Sequence, residues 1–391
     1  MKVLLVSTSE RNGGGAIAAR RLLTALHTQG VEAKMMVRDK QTDDKAVVRV
    51  GNKLPKLLER LKILPGLRFR RSRLWLADTA SHGIDITRTP EFQEADVVHL
   101  HWTSQGMISI KGLNNILSSG KRVVWTLHDE WPYLGVCHYR AECTQPTCME
   151  CPILSGSTPG TTWHLKHKLY ERWHPTFVGC SHWITQRAQQ ALQGEHVVHI
   201  NNCVPSSLFH PIDMAQARRR LSLPERGRLL LFCSQKVTDE RKGIAFLVKA
   251  LQHLRDDDLR LLIVGKGSEK IPLPDTIPAT RFPSVGEDTM PLLYNAADVY
   301  VTPSLQDNLP NTIAEAMRCG TPCVGFNAGG IPEMIDHTKN GYVARYRDAE
   351  DLADGILYVL SHDLREAACR KAARDYDEQS VALQYIKLYQ N

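Results

Sequence analysis

Residues 302–333 read TPSLQDNLPNTIAEAMRCGTPCVGFNAGGIPE and set two carboxylates, Asp307 and Glu315, on either side of a helix start. The apolar run ending at Thr302 predicts a strand, 307–310 a loop, and 311–320 a helix stopped by Gly320 with Pro322 just beyond. Free N–H groups at such a helix start bind phosphate oxygens. One turn in, Glu315 can point inward and accept both hydroxyls of a ribose, while Asp307 sits before the loop where an attached sugar would lie. The stretch suits a nucleotide diphosphate, with Asn308, Leu309, Pro310 and Asn311 forming the loop around it.

An acidic residue followed by seven others and a glutamate, here Asp307 and Glu315, resembles the signature of the family 4 retaining glycosyltransferases. Gly329, Gly330, Pro332 and Glu333 match that family's GGIPE turn, and NCVPSSLFHP at 202–211 resembles its interdomain segment. One departure is the first acidic residue, an Asp where the family has Glu, which shortens its reach by about one methylene. The resemblance extends over nearly the whole chain. It implies an α/β GT-B fold of two doubly wound Rossmann-like domains facing a central cleft. It also implies sugar transfer from a nucleotide-sugar with retained anomeric configuration and no cofactor needed for catalysis. The acceptor expected from it is a saccharide or lipid-linked saccharide of bacterial surface polysaccharide or lipopolysaccharide assembly.

Outward from this stretch, 391 residues suit two domains of roughly 150 to 200 residues each. With 42% hydrophobic and 23% charged residues the chain reads as soluble and globular. No apolar run approaches the roughly 18 to 20 residues of a membrane span. The opening MKVLLVSTSERNGGG reads as a buried strand, because Glu10 and Arg11 interrupt it early, so a cytoplasmic protein is expected. Alternating apolar runs and amphipathic stretches predict strands at 2–8, 96–101, 121–127, 176–179, 197–200, 229–233, 259–264, 299–302 and 322–326, with a first helix at 16–29. The expected domains are 1–202, an acceptor-side domain holding a Cys-rich loop at 137–151, and 203–374, the nucleotide-sugar domain. By the resemblance, a last helix in 375–391 crosses back to the first domain.

Gly13, Gly14 and Gly15 join the first strand to its helix, where a ligand can approach the backbone closely and the helix dipole favours negative charge. A tight strand-to-helix turn explains such glycines equally well. By resemblance Gly14 and Gly15 touch the donor. In SQKVTDERKG, Lys236, Arg241 and Lys242 take positions similar to the Arg and Lys with which the family neutralises the leaving diphosphate, a task cations can perform without a metal. Lys236 stands where Arg is usual and lacks its bidentate fork. VGKGS at 264–268 and residues 281–286 are expected to line the base pocket. His128 in TLHD resembles the family's active-site histidine and is expected to touch the transferred sugar, oriented by Asp129. Together His128, Lys242 and Asp307 form the expected catalytic set. His99 and His101 in HLHW read as packing or acceptor-side lining, and the Asp-x-Asp patterns at 256–258 and 375–377 as solvated turns.

Four of ten cysteines, Cys137, Cys143, Cys148 and Cys151, crowd one polar loop and could satisfy a tetrahedral zinc ion. Reduced thiols and redox chemistry are the other readings of the same pattern. The formal charge of +7 is concentrated between Arg49 and Arg73, where basic residues interleave with Leu54, Leu57, Leu58, Leu61 and Phe69. Such a segment can lie on an anionic membrane surface, which would place the protein peripherally on the inner face of the cell membrane. It can equally be a solvated helix with an apolar core face. No nucleic-acid module accompanies the charge. A sugar-nucleotide epimerase and a noncatalytic membrane-associated scaffold are the alternative functions.

Overall fold

Short apolar strands alternating with helices wind into two separate parallel sheets, one in each of two units: residues 1–202 with 379–391, and residues 203–378. The computed structural model describes residues 1–391 apart from 141, 255, 257, 275 and 276, and only the backbone of Ser72; Asp257 of the 256–258 pattern thus lies outside the described residues.

In the N-terminal unit β1 (Lys2–Ser9), β2 (Glu32–Asp39), β3 (Val47–Arg49), β4 (Val97–Leu100), β5 (Arg122–Leu127), β6 (Thr176–Gly179) and β7 (Val197–His199) run in the order β3-β2-β1-β4-β5-β6-β7. In the C-terminal unit β8 (Arg228–Lys236), β9 (Leu259–Lys266), β10 (Ala279–Phe282), β11 (Val299–Thr302), β12 (Cys323–Phe326) and β13 (Gly341–Ala344) run in the order β10-β9-β8-β11-β12-β13. Helices on both faces of each sheet explain why central strands are uniformly apolar rather than alternating: Leu4, Leu5, Val6, Leu229, Leu230 and Leu231 are all buried. Burying each such side chain contributes roughly 1.5 to 3 kcal/mol. In both sheets the strand order reverses beside the first strand, between β1 and β4 and between β8 and β11. Ligands of open parallel sheets settle outside the C-terminal strand ends at such a reversal.

All nine strands expected from the sequence are present, and β2, β3, β10 and β13 are additional. β2 reads EAKMMVRD, whose charged residues at both ends hide a buried centre, and β3 and β13 are only 3 and 4 residues long. The first helix, α1 (Gly14–Thr28), starts two residues before its expected position. Gly13, at φ 96°, makes the turn, so Gly14 and Gly15 belong to the first helical turn rather than to a loop. A second helix, α2 (Leu54–Ile63), follows β3.

The last helix, Glu378–Gln390, supplies Tyr385 and Tyr389 to the N-terminal sheet. His99 Nδ1 lies 2.7 Å from the Tyr389 hydroxyl, Thr126 Oγ1 lies 2.9 Å from that of Tyr385, and Arg122 donates to the Tyr389 carbonyl. Two hydroxyls thereby satisfy polar groups buried in β4 and β5 that would otherwise cost about 1 to 3 kcal/mol each. Among the described residues no helix is long and apolar enough to cross a membrane.

Candidate active site

In the C-terminal unit β11 delivers the chain at Thr302, and the helix Asn311–Arg318 begins after Pro310, whose φ of −65° suits the residue before a first helical turn. The intervening loop closes over the turn that follows β8. Lys242 Nζ meets Asp307 Oδ2 at 2.5 Å, and the Leu305 N–H donates to the Arg241 carbonyl at 2.7 Å. Two glycines permit the approach. A Cβ on Gly243 (φ 68°) would stand 1.8 Å from the Pro303 carbonyl oxygen, and one on Gly329 (φ 58°) 1.7 Å from that of Asp307. Gly329 and Gly330 after β12 thus seat the Asp307 backbone, which accepts the Gly330 N–H at 3.2 Å.

Glu315 lies on the buried side of its helix, where the Tyr294 hydroxyl donates to Oε2 at 2.8 Å. Tyr294, Tyr300, Cys233 and Thr312 form a polar group around it. The Tyr300 hydroxyl donates to Thr312 Oγ1 at 2.8 Å and accepts from the Cys233 thiol at 3.6 Å, while burial pushes that thiol up to about 11. None of these four was expected from the sequence; each is an ordinary strand or helix residue until the fold surrounds the carboxylate with them. Asn308 and Leu309 are buried and Asn311 half-buried at the helix start.

The three expected cations differ in their surroundings. Lys242 is held by Asp307; Arg241 forms a pair with Asp239, 2.7 Å between Nη2 and Oδ2; and Lys236 projects exposed from the end of β8. Arg241 also holds the Asp239 carboxyl below its usual range against the opposing effect of burial. Arg281 in β10 donates to the Ser268 and Ile271 carbonyls, tying the turn after β9 to its neighbour. The two Asp-x-Asp turns are occupied by local partners: Asp256 by Arg228, and Asp375 by Arg374 and Lys371.

The N-terminal unit assembles its candidate residues from three strand ends. Gly15 lies so near His128, just past β5, that a Cβ would stand 3.0 Å from the imidazole Cγ. His128 Nε2 is 3.0 Å from His101 Nδ1, past β4, and the rings stack at 5.3 Å. His101 Nε2 is buried and makes no hydrogen bond. Burial holds His128 down to about 4 and His99 to about 3, so all three imidazoles of the row are neutral near pH 7. The orienting role expected of Asp129 is not the one found. Its carboxylate accepts from Trp102 Nε1 at 2.8 Å and the Trp131 N–H at 3.0 Å, and meets His138 Nδ1 at 2.7 Å; His101 orients His128 instead. The placement of HLHW at the strand-order reversal was the available signal.

In the cysteine loop all four thiols are free. Interaction between the Cys137 and Cys151 thiols raises the former's pKa and lowers the latter's. Cys148 Sγ accepts the Gly135 N–H at 3.2 Å, and Cys151 Sγ accepts that of Leu154 at 3.4 Å. Among the described residues no group of three or more His, Cys, Asp or Glu side chains is arranged to hold a metal ion.

Residues 227–362 match the family described as Glycosyl transferases group 1. In sequence the chain is 28% identical over 258 residues to a phosphatidyl-myo-inositol mannosyltransferase of Mycobacterium leprae, covering 62% of this chain and 67% of that protein. The chain spans 52% and 47% of the length of two other curated relatives. In structure it resembles sucrose-phosphate synthase from Thermosynechococcus elongatus, with a TM-score of 0.72 at 17% identity over 100% of this chain and 98% of the other. It also resembles Anabaena Alr3699/HepE in complex with UDP-glucose, with a TM-score of 0.65 at 16% identity over 100% and 99%. The fold is GT-B, built from two Rossmann-like α/β domains. With the group 1 domain, these matches indicate a nucleotide-sugar-dependent glycosyltransferase.

Proposed function

We propose that the chain is a family 4 retaining glycosyltransferase that extends a lipid-linked polysaccharide or lipopolysaccharide precursor, working peripherally at the anionic inner face of the cell membrane. The observation that carries this reading is the Lys242–Asp307 pair standing in the same loop and helix start as the fixed Glu315. Glu315 accepts the ribose hydroxyls; Lys242, with Lys236 and the loop amides, stabilises the charge growing on the departing diphosphate. Asp307 faces the sugar, and His128 of the N-terminal unit is the proposed further contact to it. The bond from the anomeric carbon to the diphosphate oxygen breaks as the acceptor oxygen bonds to that carbon on the same face, and the acceptor proton passes to the departing phosphate. Support for a lipid acceptor comes from the M. leprae relative, whose name gives phosphatidyl-myo-inositol, and support for the donor class from HepE with UDP-glucose.

The test is transfer of label from UDP-, GDP-, ADP- and dTDP-sugars to lipid extracts without added divalent metal. One donor should label lipid, and Glu315→Gln and Lys242→Ala should each abolish that labelling by about a hundredfold or more with melting temperature retained. Undiminished transfer in these variants would refute the site. We also propose a structural zinc ion on Cys137, Cys143, Cys148 and Cys151, supported by the mutual contact of two thiols and the N–H groups aimed at two sulfurs; Cys143 would have to be drawn in. Elemental analysis of reduced protein should give one zinc per chain, and none would remove the metal.

A further inference from the structure

Helix α2 is packed with its apolar stripe outward. Leu54, Leu57, Leu58 and Leu61 fall on one face at helical spacing and are 55, 54, 38 and 57% exposed. The side turned to the protein carries Ile63 and the carboxylate of Glu59, which is only 2% exposed and accepts from the Thr79, Ser81 and His82 N–H groups at 2.7, 3.0 and 3.3 Å. The first turn is pinned as well, since a Cβ on Gly106 would stand 2.4 Å from the Lys56 nitrogen. A fixed helix that buries a glutamate and exposes a row of leucines presents an apolar surface on purpose rather than by fraying.

Beside the stripe, and sharing Leu57 with it, is a pocket of about 650 Å³ walled by Arg38, Lys40, Arg49, Lys53, Lys56 and Arg60, with Asp39 as its one acid. Arg38 is spent on Asp39 and the Gln105 carbonyl, and Lys40 on the Asp44 carbonyl. Among the described residues Arg49, Lys53, Lys56 and Arg60 have no side-chain hydrogen bond or ion pair. Burial and the neighbouring cations also depress the Lys56 pKa. Like charges gathered in a concave site repel until an anion enters.

We infer that this pocket binds the phosphate or diphosphate headgroup of a membrane lipid, whose apolar chain lies along the α2 leucines. A soluble polyphosphate would use the cations and leave the leucines without a role, so the lipid is the better occupant. The inference deepens the lipid-acceptor part of the proposed function and is independent of the donor residues.

Flotation of the full chain with phosphatidylcholine vesicles, with or without phosphatidic acid, tests it, with UDP binding measured in parallel. Wild-type protein should float with the acidic vesicles only. Lys56→Glu with Arg60→Glu should weaken this by at least about tenfold, at roughly fivefold per lost cation. Leu57→Gln with Leu61→Gln should weaken it comparably, whereas inorganic pyrophosphate binding should survive the leucine changes and fall with the charge reversals. Pyrophosphate binding without flotation would overturn the lipid in favour of a free phosphate, and flotation indifferent to both double variants would overturn the site. Flotation lost with UDP binding kept counts against this inference alone; UDP binding absent with flotation kept counts against the glycosyltransferase reading alone.

Discussion

The two units build their candidate sites in opposite ways. The C-terminal unit takes Asp307, Glu315 and the Gly329–Gly330 turn from one continuous stretch and adds one lysine from the neighbouring turn, so its carboxylates are fixed by charge and by close backbone contact. The N-terminal unit gathers Gly15, His101 and His128 from the ends of three strands and buries them neutral, the neighbouring Asp129 carboxylate being hydrogen-bonded to Trp102, Trp131 and His138 instead. A site of local, charged parts and a site of distant, neutral parts should respond differently to acid and to added methyl groups.

Acid should separate them most. The imidazoles held below their usual pKa, those of His99, His101, His128, His167 and His199, all lie in the N-terminal unit. Below pH 6.5 the unfolded chain protonates them and the fold does not, so each costs up to about 1.4 kcal/mol per pH unit until its folded pKa is reached, about 4 for His128 and His199 and about 3 for His99. Asp78, raised by burial to about 6, and Glu195, also raised, work the other way over part of that window but are outnumbered. The lowered carboxylates of the C-terminal unit, Asp239, Asp348 and Asp375, keep their contribution above the ordinary range near 3.8. Calorimetry from pH 7 to 4.5 should show the N-terminal transition falling by several degrees more than the C-terminal one; equal shifts would erase the distinction.

Next in size is Gly329→Ala. It meets the Asp307 carbonyl in a left-handed backbone and should cost about 3 kcal/mol or more in the C-terminal transition, with nucleotide binding lost in proportion. Gly15→Ala is milder, because the imidazole it meets can give by a few tenths of an ångström. Transfer should fall about tenfold with little change in melting, as expected for a displaced positioning contact. Smallest is His101→Asn, which removes the partner of His128 and should cost about 1 kcal/mol in stability. Its diagnostic readout is the His128 ring resonance by NMR, which should shift; an unchanged resonance would show that His101 does not orient that ring.

The same contrast explains what could be read before folding. The 302–333 stretch carries its turn, cap and carboxylates within one window, so local rules reach the loop, the helix and both acids. Apolar runs likewise revealed nine strands and the two-sheet plan. What escaped depends on tertiary neighbours. β2 looks polar because charges flank its buried centre, His101 gains its meaning from a ring 27 positions away, and Asp129 is turned by Trp102 and His138 from the histidine beside it. The inverted packing of α2 was unreadable for the same reason, since periodicity locates an apolar stripe but not the side on which a buried glutamate will anchor the helix.

The hydrogen bond from His99 to Tyr389 joins residues 290 positions apart, with the whole C-terminal unit between them. On the ribosome, where chains grow from the N-terminus, the first sheet must therefore wait, with His99 bonded through Nε2 to Thr126 alone, until the helix Glu378–Gln390 emerges. The unit encoded in the middle can finish before the one that was started first, so an interruption of synthesis before that helix would leave a complete C-terminal unit joined to an unfinished N-terminal one.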